Sequence, residues 1–314
     1  MAIDLKNKQI LITGGQGFLG SHLVKKLQER GVSRKNIFTP DSEDFDLRQW
    51  ENCRKVVNGQ DIVIHLAAKV GGIGFNQEKP GELFYDNIIM GAQMMEAARQ
   101  ANVEKFVQIG TICSYPKFTS IPFKEEDLWN GYPEETNASY GLAKKALLVQ
   151  AQVYRKQYEM NIIYILPVNL YGSGDNFNPA SRHVIPALIK KVADAQKEDK
   201  NYIEVWGTGK ATREFLYVED AAEGILLATE KYNKPEPVNL GSGMEISIKN
   251  LILTICRLMD FKGEIRWDTT KPDGQPRRML DVSRAEKEFG FRAKTDFKEG
   301  LKKTIDWHAN FFRA

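Results

Sequence analysis

The sequence predicts an α/β protein: a doubly wound parallel sheet followed by a smaller C-terminal α/β lobe. Three observations lead there. The apolar run 9–13 ends in Gly14-Gly-Gln-Gly17-Phe18-Leu19-Gly20 and then enters a helical pattern. β-rich runs and helical periodicities alternate from there to Tyr171, the order that parallel βαβ units require. From Ser173 the chain turns loop-like before shorter strands and helices resume.

In the first unit Leu19, Leu23 and Leu27 share one helical face, Lys25, Lys26 and Glu29 the other, and Gly31 stops the helix. Strand, glycine turn and helix form the context in which Gly-x-x-Gly-x-x-Gly binds a dinucleotide. Gly14 allows the tight turn, Gly17 lets backbone approach a pyrophosphate, and Gly20 lets helix pack on strand. The phosphates sit at the helix N-terminus, around Phe18 and Leu19, where free N–H groups favour anions. This is the Rossmann arrangement.

A second strand over 36–40 leads to Asp41. An acidic side chain there hydrogen-bonds a ribose 2′-hydroxyl, whereas arginine accommodates a 2′-phosphate. No arginine follows until Arg48, which tilts the local reading towards NAD. A third strand, 61–66, runs into Leu66-Ala67-Ala68-Lys69, small residues against which a flat dinucleotide can lie. A helix over 83–101 leads to a fourth strand, 105–110, ending at Thr111 and Cys113. Strand carboxyl ends face the ligand crevice of an open parallel sheet, so this hydroxyl and thiol are well placed. Tyr140 and Lys144 lie four residues apart on a helix running to about 158, and so on one face. Beside a cofactor, such an ammonium lowers the tyrosine pKa and makes Tyr140 a usable proton donor or acceptor.

A fifth strand over 161–166 precedes Pro167-Val-Asn169-Leu170-Tyr-Gly172. Beyond it come a helix to about 195, strands at 203–206 and 213–218, a helix over 218–232 and a strand at 238–241. Two more helices, a strand at 264–267 and the loop 272–278 complete the chain. Residues 1–172 with about 218–241 are therefore expected to bind the dinucleotide. About 173–217 and 242–314 form the substrate lobe, with no flexible linker between them.

Composition narrows the partners. With 42% hydrophobic and 27% charged residues the chain reads as a soluble globular protein. Forty-four basic against forty-one acidic residues, net +3, argue against nucleic acid or a membrane surface. No signal peptide or membrane-spanning run is visible. Three distant cysteines make neither a metal-ligand spacing nor a disulfide framework, so no metal and a cytoplasmic setting are expected. Cys53 and Cys256 read as packing residues and His65 as structural; His22 and His308 have no constellation around them.

Taken in order, the glycine loop, Asp61-x-x-x-His65-Leu-Ala-Ala68, the strand-end hydroxyl and Tyr140-x-x-x-Lys144 resemble the extended short-chain dehydrogenase/reductases that act on nucleotide sugars. The likeness covers essentially the whole chain. Residues 67–73, Cys113 before Tyr115-Pro116, Asn169-Leu-Tyr-Gly172 with Asp175-Asn176-Phe177, His183 through Leu188, Arg213-Glu-Phe-Leu and the 272–277 motif are similar to the GDP-L-fucose synthase family. Members of that family epimerise carbons 3 and 5 of GDP-4-keto-6-deoxy-D-mannose and then reduce carbon 4.

The resemblance implies that Cys113 and His183 are the acid/base pair of epimerisation. Thr111 and Tyr140 would hold the carbonyl oxygen, and Tyr140, supported by Lys144, would protonate it during hydride transfer. Cofactor contacts are implied for Gly14, Gly17, Phe18, Leu19, Gly20, Asp41, Leu66, Ala67, Ala68, Lys69, Tyr140, Lys144, Pro167, Asn169, Leu170 and His183. Substrate contacts are implied for Asn169, Asn176, Val184, Lys191, Trp206, Arg213 and Arg277, the two arginines on the diphosphate. Taken by itself, Trp206 reads slightly more as a core residue than as a substrate platform.

NADP is the family's cofactor, but Gln16 stands where NADP users often carry arginine, so NADP and NAD both stay open. Thr111 replaces the family's usual serine, and Ile112 and Ser114 also depart from its pattern. A homodimer through the helices near 83–101 and 140–158 is implied by resemblance. The alternative is a nucleotide-sugar epimerase that retains NAD with no net redox. A more distant one is a non-catalytic dinucleotide sensor, which the presence of Tyr140 and Lys144 argues against.

Overall fold

The computed structural model describes residues 2–179, 181–271 and 273–311. Its first half runs β1 (Ile10–Thr13), α1 (Phe18–Glu29), β2 (Ile37–Phe38), α2 (Trp50–Val57), β3 (Ile62–His65), α3 (Ile73–Glu78), α4 (Pro80–Gln100), β4 (Lys105–Ile109), α5 (Ala138–Tyr158) and β5 (Ile162–Pro167). There follow β6 (Asn169–Tyr171), α6 (Val184–Lys197), β7 (Tyr202–Trp206), β8 (Thr212–Tyr217), α7 (Val218–Lys231), β9 (Val238–Leu240) and β10 (Glu245–Ser247). The last elements are α8 (Ile248–Leu258), β11 (Glu264–Asp268), α9 (Ser283–Phe289) and α10 (Phe297–Phe311).

The main sheet has the order β2-β1-β3-β4-β5-β9, with every pairing parallel. Strands β1, β3, β4 and β5 are buried along their whole length, which is why they read as nearly continuous apolar runs. Alternate residues serve opposite faces. Ile12, Ile64 and Val107 pack with Leu23 of α1 and Ile225 of α7, and Leu11, Val63 and Phe106 pack with Met94 and Met95 of α4. Register levels the strand ends, with Thr13 opposite His65 and His65 opposite Gln108. Chain order reverses between β1 and β3, so a crevice opens there at the carboxyl edge.

A separate apolar cluster joins Ile185, Leu188, Ile189 and Val192 of α6 to β7, β8, α8 and α10. Those α6 positions follow the helical repeat of one buried face. Small sheets frame it: β10 antiparallel to β8, β8 parallel to β6, and β11 parallel to β7. Among the described residues three helices, not the expected two, follow Gly241. The middle one, α9, packs away from this cluster: Leu280, Ala285, Phe289 and Phe291 belong to the core of the main sheet. We propose the two-lobe division read from the sequence with that segment returned to the dinucleotide side. Pro272, part of the noted loop motif, lies outside the described residues. No described helix is long and apolar enough to cross a membrane.

Candidate active site

The carboxyl ends of β1, β3, β4 and β5 open into a cleft of about 1210 Å³, whose far wall is built by α6, β7 and β8. Close packing shapes the glycine turn at its floor. Gly14 has φ +69°, and a Cβ on Gly20 would stand 2.2 Å from the Gly14 carbonyl oxygen. Gly17 caps α1 without a side-chain hydrogen bond, so the first N–H groups of the helix have no side-chain partner. That cradle fits a pyrophosphate. Phe18, Leu19, Leu66, Ala67, Ala68, Pro167, Asn169 and Leu170 line the same cleft. Lys69 also lines it, with its ammonium held by Glu82 at 2.5 Å and Asp86 at 3.1 Å.

At the outer end the Asp41 carboxylate accepts the Glu43 N–H at 2.9 Å. Arg48, seven residues further along the chain, lines the cleft as well. Its guanidinium forks onto Asp46, Nε and NH2 each at 2.9 Å, and lies 3.5 Å from Asp86.

Beyond β4, the Thr111 hydroxyl accepts the Cys113 N–H at 3.2 Å and caps the short 3-10 turn Ile112–Ser114. This turn is clamped to the start of α5. A Cβ on Gly141 would meet the Cys113 carbonyl oxygen at 2.3 Å, and the Ser114 hydroxyl donates to the Gly141 carbonyl at 3.0 Å. Tyr140 is buried beside it. Burial pushes its phenol well above the ordinary pKa and nearby Cys113 adds to that, while the Thr111 hydroxyl pulls the other way.

Lys144, behind it, is 1% exposed. Its ammonium donates to the Ile109 carbonyl at 3.1 Å and stands 5.9 Å from the Tyr140 ring centroid. Burial lowers its pKa to about 8. In the protein by itself the phenol is raised, because it is enclosed and loses hydration; the lowering expected from this lysine concerns the site beside a bound cofactor. His65 is structural: Nδ1 meets the Thr13 hydroxyl at 2.7 Å, and burial, then the Lys144 charge, hold its pKa near about 3.

Across the cleft His183 stands at the N-cap of α6. Its ring is accessible from the cleft yet enclosed by the walls, and that desolvation lowers its pKa. Val184, Lys191, Trp206 and Arg213 line the same wall. Lys191 donates to the Glu204 carbonyl at 2.7 Å and lies 5.8 Å from the Trp206 ring centroid. Trp206 is 53% exposed, so it is not a core residue. Arg213 is braced by the carbonyls of Gln275 at 2.6 Å, Thr212 at 2.7 Å and Asp273 at 3.0 Å; burial, then Arg278, lower its pKa to about 10.

Two expected substrate residues are not brought into this lining. Asn176 is tied into its own loop, to the Ser181 hydroxyl at 2.8 Å and the Asn178 N–H at 2.9 Å. Arg277 pairs on the surface with Glu245, Nε at 3.0 Å and NH2 at 2.6 Å. Successive side chains of an extended segment point oppositely, and it is Arg278 that is buried and lines the cleft. Asp273, Gln275 and Arg182 also line it and were missed. The 272–278 motif is the signal for this wall in the sequence, and of its two arginines Arg278, not the expected Arg277, lines the cleft. Among the described residues no group of three His, Cys, Asp or Glu side chains gathers as for a metal ion.

A buried tyrosine backed by a lysine, set at the mouth of a dinucleotide cradle, defines a nicotinamide-dependent dehydrogenase/reductase of the short-chain type. More narrowly, the chain belongs to the NAD dependent epimerase/dehydratase family, which matches residues 10–241. It is 39% identical over 304 residues to a GDP-L-fucose synthase of Sinorhizobium fredii, covering 96% of each chain. A GDP-L-fucose synthetase from Naegleria fowleri bound to NADP superimposes with a TM-score of 0.88 at 28% identity, covering 100% of this chain and 97% of that one. A GDP-6-OMe-4-keto-L-xylo-heptose reductase from C. jejuni gives a TM-score of 0.90 at 26% identity, covering 99% and 100%.

Proposed function

We propose that this protein epimerises carbons 3 and 5 of GDP-4-keto-6-deoxy-D-mannose, or a close GDP-linked 4-keto sugar, and reduces carbon 4 with NADPH. The product is GDP-L-fucose or the corresponding sugar. The observation that carries this reading is that Thr111, Cys113, Tyr140 and His183 line one cleft. A 4-keto group acidifies the hydrogens on its flanking carbons. One of Cys113 and His183 takes such a proton and the other returns one to the opposite face. The Thr111 and Tyr140 hydroxyls hold the keto oxygen as charge develops on it. Bound nicotinamide supplies the hydride for carbon 4. Tyr140, kept protonated by its burial, delivers the proton to the oxygen. Arg213 and Lys191 serve the diphosphate.

For the cofactor, NADP is favoured by Arg48, which lines the same cleft as Asp41, and by the NADP held by the Naegleria relative. A homodimer through α4 and α5 is part of the proposal. Phe84 and Tyr85 on α4, with Val149, Val153 and Tyr158 on α5, expose an apolar face suited to it. The cytoplasmic setting expected from the sequence belongs to the same proposal.

The test is an NADPH- and NADH-oxidation assay with GDP-4-keto-6-deoxy-D-mannose in deuterated water, followed by NMR of the sugar. Deuterium at carbons 3 and 5 together with cofactor consumption supports the proposal. Consumption without deuterium leaves a reductase alone, and deuterium without consumption leaves an epimerase that keeps its cofactor.

A further inference from the structure

Cys113 has a charged neighbour that arrives from far along the chain. The NH1 group of Arg278 lies 3.6 Å from the Cys113 sulfur. Arg278 is buried, and its guanidinium is aimed by a hydrogen bond from Nε to Gln275 Oε1 at 2.8 Å. Gln275 is itself buried and donates to the carbonyls of Lys117 at 2.8 Å and Pro116 at 3.3 Å. Those carbonyls belong to the segment that follows the Cys113 turn, so thiol and guanidinium hang from one framework. Arg213 braces the same loop through the Gln275 carbonyl.

Two guanidinium groups therefore stand in one desolvated wall, and the charge of Arg278 adds to the cost of burying Arg213. Among the described residues Arg278 makes no ion pair with a carboxylate, and its hydrogen bonds go to Gln275 and Cys113. A cation fixed at this distance from sulfur favours the thiolate, the form that can accept a proton.

We infer that Arg278 is a positioning residue for the proton transfer, its guanidinium holding the Cys113 sulfur in place as the thiolate that takes a proton from the sugar. The inference rests on the acid/base reading of Cys113. In that step the carbon–hydrogen bond breaks, its electron pair stays in the enolate, and the proton ends on sulfur. Arg278 exchanges no proton itself.

Thiol chemistry tests this without any sugar. Iodoacetamide alkylation of Cys113 is followed by peptide mass spectrometry from pH 6 to 9 in the wild type, Arg278→Met and Arg278→Lys. Burial pushes Cys53 up to about 12 and Cys256 up to about 11, so neither competes in this range. Arg278→Met should slow alkylation at pH 7 by about tenfold and move its pH profile to higher pH, while Arg278→Lys restores most of the rate. An unchanged profile in Arg278→Met overturns the inference. So does an unchanged profile accompanied by a raised KM for the sugar nucleotide, which assigns Arg278 to the diphosphate instead. Should Arg278→Met not fold, Arg278→Gln carries the same test with a neutral hydrogen-bonding side chain. A failure here leaves the proposed reaction standing, whereas absence of deuterium at carbons 3 and 5 with the wild type removes the reaction itself.

Discussion

Lys144 and Tyr140 stand one turn apart on α5, yet the lysine donates to the Ile109 carbonyl at 3.1 Å and leaves the tyrosine ring centroid 5.9 Å away. Burial moves the pair in opposite directions, the phenol upwards and the ammonium down to about 8. The tyrosine is thereby kept as a proton donor, and the lysine charge becomes a function of pH near the working range.

That relationship predicts a stability signature. The Lys144 pKa is about 8 in the folded chain against 10.5 for the ordinary side chain. Below pH 8 the lysine is charged in both states, and the folded state bears the full cost of burying it. Between pH 8 and 10.5 the unfolded state binds more protons than the folded one, so stability rises with pH. The wild type should gain on Lys144→Met by up to about 3 kcal/mol across that window. Urea unfolding at pH 7.5, 9 and 10.5 reads the difference; a constant gap between the two proteins contradicts it. Lys105, also lowered to about 8 by burial, is present in both proteins and cancels.

The two stages of the proposed reaction should separate by mutation. Cys113→Ser is expected to lose deuterium incorporation at carbons 3 and 5 by about 10²-fold or more. Tyr140→Phe is expected to lose NADPH consumption by a similar factor, because the phenolic proton is the one delivered to the carbon-4 oxygen. NMR in deuterated water and absorbance at the nicotinamide band distinguish the two losses. Equal retention of both activities in both variants argues against the assigned roles.

Gly141 joins the fold to the site. A Cβ there meets the Cys113 carbonyl oxygen at 2.3 Å, and backbone on both sides leaves little room to yield. Gly141→Ala should destabilise the protein by about 1–3 kcal/mol and lower turnover as well, since the turn carrying Cys113 is forced off α5. Thermal unfolding together with steady-state kinetics checks both effects. Full activity in a stably folded variant shows that this contact is not needed to place the thiol.

Cofactor choice should depend on the outer end of the cleft. Arg48 shares its guanidinium with Asp46 and Asp86 and brings a positive charge to the cleft that Asp41 also lines. Arg48→Ala should raise KM for NADPH by about tenfold, a lost charged contact, and leave KM for NADH nearly unchanged. Parallel titrations of the two reduced cofactors decide it, and an equal rise for both assigns Arg48 to the structure of the loop alone.

The elements legible in the sequence were those whose signal is local. The glycine turn after 9–13, the apolar strand runs, and the helical repeats of α1, α4, α5 and α6 each carry their pattern in a few consecutive turns or residues. Strands β6 and β10 have three residues each, too few for a period to show, and they exist because β8 offers them a pairing edge. Charged α2 is amphipathic in its own eight residues and covers the sheet with Cys53, Val56 and Val57, but it is only about two turns long, too short for the repeat to stand out.

The site divides in the same way. That Tyr140 and Lys144 share a helix face follows from their spacing, whereas their protonation follows from how deeply the fold buries them. Residue types and order along the chain by themselves determined the dinucleotide cradle, the parallel sheet and the set of candidate acids and bases. Tertiary structure alone decided that Arg48 is held by Asp86 as well as by Asp46, and that Arg278 rather than Arg277 faces the cleft. It also decided that a guanidinium 165 positions away lies against the Cys113 sulfur. The reason is physical: periodicity is written in neighbouring residues, while burial, electrostatics and side-chain direction depend on partners that only the folded chain brings into contact.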